Sequence, residues 1–286
     1  MKWARSIAGG IGCILFFAQG AYAGAWTLPE GEKQLIITTR FYATVNYFDG
    51  NGQRRSKNGR YRKYELQHYG EWGLSDAWTL GANVAYSRAE DVSRADAFAL
   101  SDDPAASGRS IKISGLNRAE LFARYQLYRD DTYAFAVQPL IAFPPWYVRN
   151  LPEGVPADPM EAELALLGGR NFSWFGRSHY VDTSLAYRAR GQSLNDQLRF
   201  HAALGLNLDE RWTLLPELDH TQNLGGITFA STTITGQNDY DLTKAQLSAL
   251  YHLSPRFSLQ GGAFSHVSGR NTGAGGGGLL SLWIRL

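Results

Sequence analysis

Sulfur is nearly absent from this chain. Its 286 residues hold one Cys and two Met. Without a second thiol there is no disulfide, no Cys-x-x-Cys redox pair and no thiolate metal site. A second absence is long hydrophobic runs: beyond residue 23 no stretch has 18 consecutive apolar residues, so no transmembrane helix is available. Helical periodicity is scarce throughout. Charge of one sign is also missing. There are 28 basic and 26 acidic residues, and without Lys2 and Arg5 the two signs are equal. Such a balance gives no footing for nucleic acid or another polyanion as a partner. His68, His179, His201, His220, His252 and His266 are scattered without ligand spacing, so no metal is expected. Gly273–Gly278 lacks the Lys-Ser/Thr of a phosphate loop and precedes a strand, and it reads as a flexible outer loop. No cofactor is expected.

Residues 1–23 read as a secretory signal peptide. Lys2 and Arg5 form a positive start, Ile7–Phe17 a short apolar core, and Ala21-Tyr22-Ala23 a small-x-small cleavage site. Gly24 is then the first residue of the processed chain. The apolar run is too short for a membrane anchor and contains Gly9, Gly10 and Gly12. Cys13 leaves with this segment, and it lacks the Leu that a lipoprotein site requires.

Glycine and aromatic residues are abundant: 31 Gly, 15 Tyr, 14 Phe and 8 Trp. That balance suits a β-barrel with aromatic belts rather than a cytosolic α/β enzyme. Tyr64–Tyr86 shows the governing pattern. Leu66, His68, Trp72 and Leu74 share one face, and Glu65, Gln67, Tyr69 and Glu71 the other. After Ser75-Asp76-Ala77 the apolar face resumes with Trp78, Leu80, Ala82, Val84 and Tyr86. Period two makes this an amphipathic hairpin. Twelve such runs occur, at 33–47, 61–74, 78–90, 117–128, 132–143, 160–172, 179–190, 197–208, 212–222, 241–253, 257–268 and 278–286. Each has about the ten residues that a tilted strand needs to cross a bilayer. The expected fold is all-β: a transmembrane antiparallel up-and-down β-barrel of about 12 strands, residues 24–286, in the cell outer membrane.

The connections alternate in length. Short turns fall at 75–77, 129–131, 173–178, 209–211 and 254–256; longer segments fall at 48–60, 91–116, 144–159, 191–196, 223–240 and 269–277. Short periplasmic turns opposite longer outer loops are the outer-membrane arrangement. Three turns share one layout, Leu, three polar or small residues, then an aromatic: Leu74 to Trp78, Leu208 to Trp212 and Leu253 to Phe257. Tyr133 plays that part after Arg129-Asp130-Asp131. Aromatics repeated at one depth make an interfacial girdle. The last strand, Gly278–Leu286, alternates to the C-terminus and resembles the signal by which the barrel assembly machinery receives its clients, with Leu286 where Phe is usual.

Alternation assigns the faces. The lumen receives Arg40, Lys63, Arg118, Arg124, Arg188, Arg190, Arg199, Lys244 and Arg285, with Glu65, Glu71, Glu120, Glu161, Glu163, Asp182, Glu217 and Asp219. An Arg or Lys facing hydrocarbon costs about 2–4 kcal/mol near the midplane, so these side chains must turn inward. Near-balanced charge in a twelve-stranded barrel is expected to pair across the lumen and leave a narrow or partly blocked pore, either as a selectivity network or as filling. Pro139 and Pro216 fall on the lipid face and predict weakened pairing or a bulge. His68 and His220 fall on that face too. One candidate for nucleophilic chemistry is His266-Val267-Ser268, a His and a Ser on one face near the outer rim, without a visible third member.

Gly73-Leu74-Ser75-Asp76-Ala77-Trp78-Thr79-Leu80-Gly81, with Ala119–Tyr125 and Gln138–Pro144, resembles the Gram-negative outer-membrane proteins grouped with the MetA pathway of phenol degradation. The likeness covers residues 60–145. It implies a non-enzymatic, porin-like channel for small solutes, among them small aromatic or apolar compounds, and supplies no catalytic residues. The expected partners are outer-membrane lipid, the assembly machinery and the solutes themselves, with no nucleic acid. Two alternatives stay open: an outer-membrane lipid hydrolase using His266 and Ser268, and a structural or adhesive barrel resting on the loops 91–116 and 223–240.

Overall fold

The fold follows from strands that are apolar on one side only and that find partners at every edge. A computed structural model describes residues 24–93, 110–144, 146–147, 160–191, 194–226 and 239–286. The signal-peptide reading of 1–23 and the middle parts of the segments 91–116, 144–159 and 223–240 lie outside the described residues.

In chain order the strands are β1 (Lys33–Phe48), β2 (Arg54–Ser75), β3 (Trp78–Ser93), β4 (Ser110–Arg129), β5 (Tyr133–Phe143), β6 (Trp146–Tyr147), β7 (Glu161–Trp174), β8 (Arg177–Arg190), β9 (Gln197–Asn207), β10 (Trp212–Asn223), β11 (Asp241–His252), β12 (Phe257–Arg270), β13 (Thr272–Gly273) and β14 (Gly276–Arg285). β6 and β13 are two-residue additions that pair with β4 and β1. The other twelve pair antiparallel in sequence order, and β1 pairs with both β2 and β14. The sheet therefore closes on itself and has no free edge. This is the expected up-and-down, twelve-stranded barrel.

The outside is apolar. Leu66, Trp72, Leu80, Val84, Leu121, Ile141, Leu164, Leu166, Leu185, Leu218, Leu247 and Leu259 are exposed, as alternation requires of a lipid face. Near the short-turn rim the repeated aromatics become cross-strand partners: Trp78 lies against Tyr125 and Trp212 against Tyr251, each with ring centroids 4.7 Å apart.

Three of the short turns begin with a side-chain acceptor. Asp130 Oδ1 accepts the N–H of Thr132 and of Tyr133. Asp209 Oδ1 accepts those of Arg211 and Trp212. Ser254 Oγ accepts those of Arg256 and Phe257. Each thus satisfies two donors that the ladder leaves open. The turn after Trp174 differs: Phe175 and Gly176 both take positive φ, 48° and 71°, the conformation of a two-residue I′ hairpin.

Asp209 is held below the usual carboxylate range by the N–H of Arg211 and then that of Trp212. Its charged form is the one that caps the turn, so its contribution is present at neutral pH and is lost as pH falls below 3.8 through the lowered value. Asp209→Ala is therefore expected to reduce barrel stability at pH 7 and to converge with the parent as pH falls below 3.8. Urea-unfolding midpoints across that range check it; a constant offset at every pH would remove the carboxylate as the cause.

Several sequence expectations change in the structure. The 48–60 loop is mostly strand: β1 and β2 continue as a hairpin to a tight turn, where Asp49 Oδ1 accepts the N–H of Asn51 at 2.9 Å and of Gln53 at 2.8 Å. Likewise β3 runs on to Ser93 and β4 starts at Ser110, so the long-connection rim carries paired extensions. The Gly273–Gly278 segment is not a loop. Gly273 belongs to β13, and Gly276, Gly277 and Gly278 form the start of β14, paired with both β1 and β12. Glycine is required by close approach: a Cβ on Gly277 would overlap the Phe41 carbonyl oxygen. Pro139 and Pro216 do interrupt pairing without shifting register. The β4–β5 ladder lapses between Phe122↔Leu140 and Tyr125↔Val137, and the β9–β10 ladder between Leu214↔Leu206 and Glu217↔Ala203.

Candidate functional site

The inward residues build a polar lumen with a filled lower half. Every basic and acidic residue assigned to it above sits on a strand whose apolar alternates face out, and most are joined directly. On the β1–β3 wall, Glu65 accepts from Lys63 at 2.7 Å, from Arg40 at 3.4 Å and from Asn117 at 2.9 Å. Arg40 also donates to Gln67, which donates to Asn83 at 2.6 Å, which donates to Glu120 at 2.8 Å. Glu120 then meets Arg188 at 3.2 Å. On the β7–β9 wall, Arg188 bridges Glu161 at 3.1 Å and Glu163 at 2.7 Å, Arg190 pairs with Glu161 at 2.8 Å, and Arg199 with Glu163 at 2.7 Å. On the β9–β11 wall, Asp219 holds His201 and Lys244, each at 2.8 Å, and Glu217 accepts from Gln246. Buried charges are thereby neutralised in a chain that reaches across strands rather than in isolated pairs. Arg118 points inward beside Glu120 and Glu65 and forms no ion pair among the described residues.

Closer to the short-turn rim the pairing is drier. Arg124 is 1 % exposed and its guanidinium meets the fully buried Glu71 at 2.7 Å. Tyr69 donates to the same carboxylate, and Arg124 Nε donates to Gln138 at 3.1 Å.

The feature no motif announced is the segment before β1. Residues 24–28 enter the lumen and are held by wall side chains. Leu28 N–H donates to Thr79 Oγ1 at 2.8 Å, and Thr27 N–H to Gln126 Oε1 at 2.9 Å. The Trp26 carbonyl accepts from Arg124 at 3.1 Å, the Ala25 carbonyl from Gln126 at 3.0 Å, and Ala25 N–H donates to Asp182 at 3.0 Å. Trp26 packs on the apolar cluster of Ala134, Ala136, Ala165, Leu167 and Ala186. Gly169 makes room for it, since a Cβ there would strike the indole. The segment thus spans from β3 and β4 to β7 and β8. Tyr180, Leu215, Leu250 and Trp283, from β8, β10, β11 and β14, form a second apolar cluster.

Above this floor lies a cavity of ≈ 170 Å³. One wall is aromatic and aliphatic: Tyr69 stacks on Phe122 with centroids 5.7 Å apart, and Leu140 packs with them. The other wall carries Glu120, Arg124, Glu163, Asp182 and His201, and Gly24 touches the cavity from below.

Two bulges re-aim residues that strict alternation misplaces. Between Ala85↔Arg118 and Tyr86↔Leu116 the β4 strand carries an extra residue, Asn117, which turns inward to Glu65. On β12 the extra residue is Val267, between Lys244↔His266 and Thr243↔Ser268. This corrects the hydrolase candidate. His266 faces the lumen, stacked on Tyr42 at 4.8 Å and bonded to the Gly273 carbonyl at 2.7 Å. Ser268 is turned to the other face, where its hydroxyl donates to Thr243 at 2.9 Å. The bulge places the two side chains on opposite sides of the wall, so they cannot act as a nucleophile–base pair. His220 keeps its expected outward position and bonds the same Thr243 at 2.9 Å, and His68 is exposed on the outside.

No protein-family model matches the sequence. No curated protein matches it either. Among solved structures, the chain is similar to the COG4313 outer membrane channel from Pseudomonas putida F1, with 13 % identity, TM-score 0.65, and coverage of 93 % of this chain and 99 % of that one. It is also similar to the NanC porin, with 8 % identity, TM-score 0.53, and coverage of 88 % and 100 %. Identities this low speak to the fold alone. With an apolar belt outside and ion pairs inside, that fold is an outer-membrane β-barrel.

Proposed function

We propose that the barrel is an outer-membrane channel for small solutes, and that a single-ring aromatic or similarly compact apolar compound is the solute its lumen suits. The observation that carries this is the cavity of ≈ 170 Å³ with Tyr69, Phe122 and Leu140 on one wall. An apolar cavity of about 150 Å³ is enough to hold benzene. The charged wall does not oppose an uncharged guest, because Glu120, Arg124, Glu163 and His201 already hold charged partners within the protein and need no counter-ion from the solute. The resemblance of residues 60–145 to the phenol-degradation group supports the same solute class. Entry would be from the long-connection rim, read as the outer one, and the short turns would face the periplasm.

Phenol uptake by cells with and without the protein tests the reading, together with current through the purified barrel in planar bilayers. Uptake is expected to depend on the protein and to slow in Leu140→Trp, which places an indole in the cavity. Bilayer current is expected as small discrete steps. Phenol uptake that ignores both the deletion and Leu140→Trp would end the proposal.

A further inference from the structure

We propose that cleavage of the Ala23–Gly24 bond creates the group that latches the N-terminal segment: the new Gly24 α-ammonium pairs with the Asp182 carboxylate inside the barrel. This rests on reading residues 1–23 as a removed signal peptide. Hydrolysis of that amide consumes one water and leaves a carboxylate on Ala23 and an ammonium on Gly24. The first charge departs with the signal peptide. The second stays with the segment that enters the lumen.

Asp182 is an acidic residue in the lumen without a side-chain counter-ion among the described residues. It is 5 % exposed, faces inward from β8, and forms no ion pair with a side chain among the described residues. Among the described residues its one hydrogen bond is from Ala25 N–H, at 3.0 Å. The nearest cations are occupied elsewhere: Arg124 by Glu71 at 2.7 Å and His201 by Asp219 at 2.8 Å. A buried carboxylate with a single backbone donor is costly unless a cation joins it. The backbone of Gly24 lies directly against it. Gly24 is buried, and a Cβ built there would overlap both carboxylate oxygens. Glycine is therefore the residue that lets the chain approach this closely. An ammonium at this position brings a positive charge and three donors to the two oxygens. Before cleavage the same nitrogen is an uncharged amide with one N–H. Processing thus converts a segment with no charge complementary to Asp182 into one that has it.

The test reads the amine directly and does not depend on transport. The barrel is purified folded from outer membranes, and the N-terminal peptide is identified by mass. Acylation of its α-amine by a sulfonated N-hydroxysuccinimide acetate is then timed at neutral pH, with exposed Lys33 as internal reference. The peptide is expected to begin at Gly24, and its α-amine to react about tenfold more slowly than in Asp182→Asn, the factor that a charge-assisted bond of about 1.4 kcal/mol provides. A one-serine insertion between Ala23 and Gly24 moves the ammonium off Asp182 and is expected to lose the same protection. That second variant serves alone if Asp182→Asn does not fold. A peptide starting elsewhere than Gly24 would overturn the cleavage reading underneath. An N-terminal α-amine that reacts equally fast in the parent and in the variants, or an α-amine on the inserted serine that stays as protected as that of the parent, would overturn the latch.

Discussion

Replacing Arg124 by alanine is expected to lower the unfolding free energy by about 3–5 kcal/mol, the cost of leaving one partner of a buried pair charged and alone. The pair is unusually dry: the side chains of Arg124 and Glu71 are 1 % and 0 % exposed. The second Glu71 oxygen, Oε2, is already buried without a hydrogen-bond partner. Without the guanidinium, only Tyr69 would remain to solvate that carboxylate. Arg124 also ties in Gln138 and the Trp26 carbonyl, so both lose a donor. The double variant Arg124→Met, Glu71→Leu removes both charges and keeps volume, and it is expected to recover most of the loss. Urea-unfolding midpoints in lipid vesicles separate the cases. A double variant as weak as the single one would show that packing around the site, and not the stranded charge, sets the penalty.

The second large effect concerns current. A chain refolded from Pro29 onward is expected to conduct several-fold more than one refolded from Gly24 onward in planar bilayers. The physical reason lies in how residues 24–28 are held. They lie in no strand, yet their N–H and carbonyl groups are bonded: Ala25 to Asp182 and Gln126, Trp26 to Arg124, Thr27 to Gln126 and Arg129, and Leu28 to Thr79. A buried backbone must be paired somewhere, and here the barrel wall supplies the partners. Removing the segment exposes those polar side chains to the lumen and opens the space that Trp26 fills, which favours water. Unchanged conductance would mean that the lumen is closed by other side chains, such as the cluster of Tyr180, Leu215, Leu250 and Trp283.

The regular part of this molecule could be read from residue order, and the irregular part could not. Leu66, Trp72, Leu80 and Val84 face out and Glu65, Gln67 and Glu71 face in because a strand has a fixed period, which any sequence window displays. The repeated turns were legible because Trp78, Trp212 and Phe257 recur at one register. What closes the turns before Tyr133, Trp212 and Phe257, the acceptors Asp130, Asp209 and Ser254, follows from the same kind of polar triplet. Asn117 and Val267 were opaque. A bulge adds one residue to one strand of a pair, and the sequence of a single strand holds no record of its neighbour's count. That is why His266 and Ser268 shared a face on paper and do not share one in the barrel. The Gly276–Gly278 run misled for a related reason. Glycine signals both loops and close backbone approach, and only the neighbouring Phe41 carbonyl decides between them. Residues 24–28 carried no periodicity, since their hydrogen-bond partners are side chains from three different strands, β3, β4 and β8.

The bond from Ala25 to Asp182 joins residues 157 positions apart. A contact so distant along the chain carries a high closure entropy and is rewarded only after the intervening strands have found one another. The residues that precede β1 are thus among the last to reach their final place. While β8 has yet to join the sheet, Ala25 has no Asp182 to bind and Trp26 lacks part of its packing surface, so the front of the segment is not yet held although Thr79 and Gln126 can already hold Leu28 and Thr27. Their docking is a clock hand that stops when the wall is complete, so an incompletely assembled barrel would be marked by an N-terminus that protease can still reach.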